Sequence, residues 1–126
     1  MHDASRLPGF ACDEGGALVG LATFELRGGE CELVTLDALR PGAGIGSALL
    51  AAVAEEAARR RARRLWLITT NDNLTAIRFY QRRGMRLVAV HAGAVDEARQ
   101  IKLSIPMTGE HGIPIRDELE FELVLV

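Results

Sequence analysis

The chain has 126 residues, 48% hydrophobic and 25% charged, enough for one packed core in a single domain spanning residues 1–126. A net charge of -2, a pI near 5.9 and an aromatic content of 5% argue against a nucleic-acid partner, which needs basic surface and stacking platforms. The polar opening residues give no signal peptide and no run is apolar enough for a membrane span. Cys12 and Cys31 lack metal-type spacing, so free thiols in the cytoplasm and no metal are expected, with one disulfide left open.

Residues 1–9 read as irregular and end in the Pro8-Gly9 turn signal. Residues 10–14 and 17–26 read as two strands joined by Gly15-Gly16. After Arg27-Gly28-Gly29, residues 30–36 form a third strand. Its period of two sets Glu30 and Glu32 on one face. The opening is therefore an antiparallel meander.

A glycine-rich turn follows, Arg40-Pro41-Gly42-Ala43-Gly44-Ile45-Gly46-Ser47. A helix starts inside it, because Ile45, Leu49, Leu50, Val53 and Ala57 recur at helical spacing. Backbone amides at a helix N-terminus with few side chains in the way suit a phosphate or pyrophosphate. Glu55 and Glu56 stand one turn before Arg59 and Arg60, and the basic run 59–64 complements the helix C-terminus.

Leu65-Trp66-Leu67-Ile68-Thr69 reads as a buried parallel strand. Residues 74–83 form a second helix, capped by Asn73 or Asp72 and ended by Gly84 in a left-handed conformation. Residues 85–90 read as a strand and residues 95–101 as a short helix in a loop. The strand of residues 115–126 closes the chain, with Leu119, Phe121, Leu123 and Leu125 facing one way and Glu118, Glu120 and Glu122 the other.

Two stretches carry a resemblance. Asn73-Leu74-Thr75-Ala76-Ile77-Arg78-Phe79-Tyr80-Gln81-Arg82-Arg83-Gly84-Met85 is similar to the Asn-x-x-Ala-x-x-Phe-Tyr-x-x-x-Gly-Phe segment of the GNAT superfamily of N-acetyltransferases. The segment 41–46 resembles that superfamily's Arg/Gln-x-x-Gly-x-Gly/Ala loop, in the same order and at the same separation. A P-loop would need Lys-Ser/Thr where Ser47-Ala48 stands, and a dinucleotide fold would need repeated βαβ units.

The resemblance implies an α+β fold: a twisted, mixed, mostly antiparallel sheet with splayed central strands and flanking helices. It implies acetyl-CoA as cosubstrate and a primary amine as acceptor, joined by direct attack in a ternary complex. By position, the Leu36 backbone at the end of the splayed strand pairs with the pantetheine. The amides of Gly42, Ala43, Gly44, Ile45, Gly46 and Ser47 cradle the pyrophosphate. Asn73 lies beside the cofactor and Tyr80 approaches the sulfur. Glu32 and Glu30, on the strand leading to the cofactor, are the candidates for a base. A lysine-like amine titrates about three units above neutral pH, so its deprotonation costs roughly 4 kcal/mol. The alternative is a non-catalytic CoA-binding sensor or interaction module.

The chain departs from the pattern twice. Pro41 stands where the loop has Arg or Gln and brings neither side-chain donor nor N–H, so Arg40 is expected to supply the charge. The family's usual opening strand and two helices have no counterpart before residue 10. An uncovered sheet edge and apolar surface are therefore expected, and with them a homo-oligomer, a dimer.

Overall fold

The computed structural model describes residues 7–39 and 43–125. The expected contributions of Arg40 and Gly42, and the substitution at Pro41, lie outside the described residues. The chain forms two compact units, Met1–Trp66 with Val124–Val126, and Leu67–Leu123. Six strands of mixed direction and three α-helices give the α+β class among the described residues.

In the first unit, β1 (Gly9–Glu14), β2 (Ala17–Arg27) and β3 (Glu30–Ala38) form the antiparallel meander, joined by two-glycine turns. β4 (Arg64–Thr70) lies parallel to β3, pairing Leu65 with Cys31 and Trp66 with Glu32. Helix α1 (Ile45–Arg59) packs across β1, β2 and β3. It buries the stripe read from the sequence: Ile45, Leu49, Leu50, Val53 and Ala57. Each of the larger apolar side chains contributes about 1.5–3 kcal/mol. Opposite them, Ala22, Phe24, Cys31 and Leu33 are buried. Gly20 is the point of closest approach, since a Cβ there would lie 2.5 Å from Ile45 Cγ2 and 2.9 Å from Leu49 Cδ1.

At the end of α1 the expected pairing forms at Glu56. Glu56 meets Arg59 at 3.2 Å and Arg60 at 2.8 Å. The chain then stops in a Schellman turn: Ala62 N–H donates to Ala57 O, and Arg61 N–H to Ala58 O. The left-handed position is held by Arg61 at φ 63°, where glycine is the usual residue. Arg61→Gly is therefore expected to raise stability by about 1 kcal/mol, read as an increase in the urea midpoint at constant m.

In the second unit, β5 (Arg86–His91) and β6 (Glu118–Val124) are antiparallel, with a bulge between Leu87 and Ala89. Helices α2 (Leu74–Arg82) and α3 (Ala94–Ile101) precede and follow β5. Leu67, Met85, Val95 and Phe121 are buried. The closing strand is shorter than its alternation suggested, because the backbone before Glu118 is used elsewhere. Ile115 N–H donates to Met107 O, and the N–H groups of Arg116 and Asp117 donate to the Asn71 side chain. Burial along β6 does not alternate either: only Phe121 is fully buried.

Arg99 fastens the preceding loop. Its guanidinium donates to the carbonyls of Ile105, Pro106 and Ile115 and pairs with Asp96.

Candidate active site

β3 carries the first set of candidates. Its register against β2 runs evenly from Arg27↔Glu30 to Phe24↔Leu33, then skips Val34 and resumes at Thr23↔Thr35. One extra residue in β3 makes a bulge, and a bulge changes which residues share a face. Directly opposed residues share a face, so the α1 side receives Gly20, Ala22, Phe24 and Leu26 with Ala38, Leu36, Leu33 and Cys31. The other side receives Leu21, Thr23, Glu25 and Arg27 with Asp37, Thr35, Glu32 and Glu30.

That second face holds the glutamates expected to act as base. Glu30 and Glu32, with Glu25, Arg27 and Trp66, line a cavity of about 220 Å³. The Arg64 guanidinium sits 3.2 Å from Glu30 and 5.2 Å over the Trp66 ring, and Arg63 adds a contact of 3.8 Å to Glu30. Arg27 pairs with Glu25. Two arginines thus hold Glu30. Cys31, on the opposite face, is buried. That burial pushes its thiol up to about 11, Arg60 pulling down and Glu32 pushing up, so it stays neutral and is no nucleophile at pH 7.

Leu36 is half-buried and pairs with Ala22. It is not the last residue of its strand, since β3 continues to Ala38 and Leu39 N–H donates to Val19 O. The parallel ladder with β4 pairs Cys31 and Glu32, well before that end.

The helix that follows starts without a side-chain cap. Gly44 is the N-cap in the left-handed region at φ 77°, and Ala48 N–H makes the 3.0 Å bond to its carbonyl. By helix geometry the amides of Ile45, Gly46 and Ser47 precede the first intrahelical bond. No acidic side chain occupies the first turn. The arrangement favours an anion in both geometry and dipole. Ala43 and Gly44 are exposed, Gly46 and Ser47 half-buried.

Asn73 and Tyr80 lie on the second unit, at either end of α2. The Asn73 side-chain oxygen accepts from Ala76 N–H at 3.1 Å, so it is the cap that the sequence suggested. Tyr80 is half-buried, its ring edge-on to Phe79 at 5.3 Å and 6.4 Å from Phe121. Its carbonyl accepts from Arg83 and Met85 N–H, closing the helix before Gly84 at φ 92°.

Asp72, offered as an alternative cap, does something else. It is buried, and its carboxylate accepts from the Thr70 hydroxyl at 2.6 Å and from Glu110 N–H at 3.1 Å. Burial pushes its pKa up, but the hydrogen bonds from Thr70, Glu110 and its own N–H outweigh that and hold it below 3.8. With Asn71, which donates to Pro114 O, it ties the β4–α2 turn to the loop before β6. These partners are 38 to 46 residues away in the chain, so no local pattern announces them. Among the described residues no cluster of three or more His, Cys, Asp or Glu is placed to hold a metal, and no helix is long and apolar enough to cross a membrane.

The model of the acetyltransferase (GNAT) family matches residues 1–85. The chain belongs to the GNAT acetyltransferase family. Acetyl-CoA-dependent acyl transfer is thus the chemistry to which this fold is put. An uncharacterised relative from Bacillus subtilis (strain 168), YdhI, is 46% identical over 121 residues, 95% of this chain and 76% of its own. A Bacillus subtilis acetyltransferase solved in complex with CoA superposes with a TM-score of 0.82 at 22% identity, covering 97% of this chain and 79% of that one. An IAA acetyltransferase from Bacillus cereus gives 0.80 at 22%, covering 95% and 79%. Both confirm the GNAT fold.

Proposed function

We propose that this GNAT domain, residues 1–126, transfers the acetyl group of acetyl-CoA to a primary amine by direct attack in a ternary complex. The observation that carries the reading is the uncapped N-terminus of α1 directly after β3, an anion site of the kind a CoA pyrophosphate needs. The amides of Gly42, Ala43, Gly44, Ile45, Gly46 and Ser47 hold the pyrophosphate, and Arg40 adds charge where Pro41 has none. The Leu36 backbone pairs with the pantetheine and polarises the thioester carbonyl. Asn73 flanks the cofactor, and Tyr80 protonates the departing thiolate. The amine nitrogen attacks the thioester carbon, the C–S bond breaks, and the amine's proton passes to a carboxylate.

Glu32 is the better base, lying nearer than Glu30 to the cofactor end of β3. Glu32→Gln is expected to lower kcat/KM at pH 7 about tenfold or more and to restore rate at higher pH, where more amine is neutral. A Glu30→Gln variant that shows this profile instead would reverse the assignment.

The protein works as a dimer in the cytoplasm, a setting that its two free cysteines suit. A soluble monomer at high concentration in gel filtration would count against the dimer. The test of the whole reading is thermal protection by acetyl-CoA but not by ATP or NAD, together with CoA release on a panel of amines. Protection without turnover of any amine would make the protein a CoA-binding module instead.

A further inference from the structure

The backbone of Asn73, at φ -81° and ψ 69°, is the centre of an inverse γ-turn, closed by Leu74 N–H donating to Asp72 O at 2.8 Å. Its own N–H donates to Thr70 O at 3.1 Å. Its side-chain oxygen is taken by Ala76 N–H, which leaves the NH2 group as the end that can donate to a ligand. The direction of that donor is therefore set by the turn of residues 70–73. The turn is in turn fixed by Asp72, whose carboxylate is buried and engaged at both oxygens. Oδ1 accepts from the Thr70 hydroxyl at 2.6 Å, and Oδ2 from Glu110 N–H at 3.1 Å. Glu110 is itself firmly placed. It sits at the tip of a loop that closes on itself through Gly109 N–H to Ile113 O and Ile115 N–H to Met107 O. The Asp72 carboxylate thus links the two sides of the residue next to it: the end of β4 before Asn73, and a distant loop.

We propose that Asp72 is a positioning residue for the cofactor, acting through Asn73: it fixes the turn from which the Asn73 amide donates to acetyl-CoA. The inference rests on the acetyltransferase reading above and adds a residue that touches no substrate. A donor held in place before the ligand arrives has no ordering cost left to meet on binding, so loosening the turn weakens the cofactor's hold without removing any group that contacts it.

The test titrates CoA into the purified full chain by calorimetry, which needs no acceptor, at a temperature where circular dichroism shows each variant folded. Asp72→Ala and Asn73→Ala are each expected to weaken binding about tenfold. The double variant is expected to bind no more weakly than Asn73→Ala, because the two changes act on one contact. A loss of stability alone would lower the melting temperature and leave the dissociation constant in place. Asp72→Asn keeps an oxygen for Glu110 N–H and an NH2 for the Thr70 oxygen, and is expected to bind within about twofold of the wild type. Should Asp72→Ala not fold, Thr70→Val takes its place in the cycle. It keeps the side-chain shape, removes one donor from the carboxylate, and is expected to weaken binding about threefold. Unchanged binding by Asp72→Ala or by Asn73→Ala would overturn the proposal. So would a double variant weaker than Asn73→Ala by the whole of the Asp72→Ala effect, or an Asp72→Asn as weak as Asp72→Ala. CoA binding by the wild type alongside any of those results confines the failure to Asp72. A wild type that does not bind CoA defeats the acetyltransferase reading and this proposal with it.

Discussion

Replacing Tyr80 with phenylalanine is expected to lower kcat about a hundredfold while acetyl-CoA still protects the protein from thermal unfolding. The size follows from the role: a positioned proton donor is worth about 10²- to 10⁴-fold. A phenol hydroxyl beside the departing sulfur can donate its proton as the C–S bond breaks and charge builds on the thiolate. The packing argument runs the other way and keeps the test clean. Tyr80 contributes its ring to the edge-on contact with Phe79 and to the approach to Phe121, and phenylalanine keeps both. Its backbone carbonyl, which closes α2, is untouched by the substitution. A loss of kcat with unchanged melting temperature therefore reports on the hydroxyl alone. Unchanged kcat would remove Tyr80 from the mechanism and leave it as a core aromatic.

The fold was most legible where local pattern and tertiary packing agree. The α1 stripe is the clearest case: five residues at helical spacing are the five that the sheet buries. The meander was legible for the same reason, since paired glycines set both turns. The bulge in β3 was not. The period of two placed Glu30 and Glu32 on one face, and only the partner strand reveals that Val34 is skipped. That skip transfers Leu36 to the α1 side while Thr35 and Asp37 join the glutamates. The C-terminus of α1 was opaque because arginine occupies a position that glycine normally marks. At the site, the loop and the Asn73 to Gly84 segment stood out through resemblance, and Asn73 does cap its helix.

Asp72 is where the sequence suggested one role and the structure supplies another with a larger energetic consequence. Asp72→Ala is expected to cost about 3 kcal/mol at pH 7, because it leaves the Thr70 hydroxyl and the Glu110 N–H without their charged acceptor. The pH dependence has a definite sign. The folded carboxyl titrates below its ordinary value of 3.8, so its contribution is fully present above about pH 4 and is lost as pH falls through the folded pKa. The gap in urea midpoint between wild type and Asp72→Ala should be constant from pH 5 to 8 and narrow below pH 4. A gap that stays the same size at pH 3, or no gap at pH 7, would show that the carboxylate is not the clamp. Gly109 provides the independent check. A Cβ at that position would lie 2.0 Å from Asp72 Oδ2, so Gly109→Ala must displace the carboxylate or its own backbone. In the Asp72→Ala background that obstacle is gone. The second substitution should then cost clearly less than it does alone, a coupling that separates this clamp from two unrelated losses of stability.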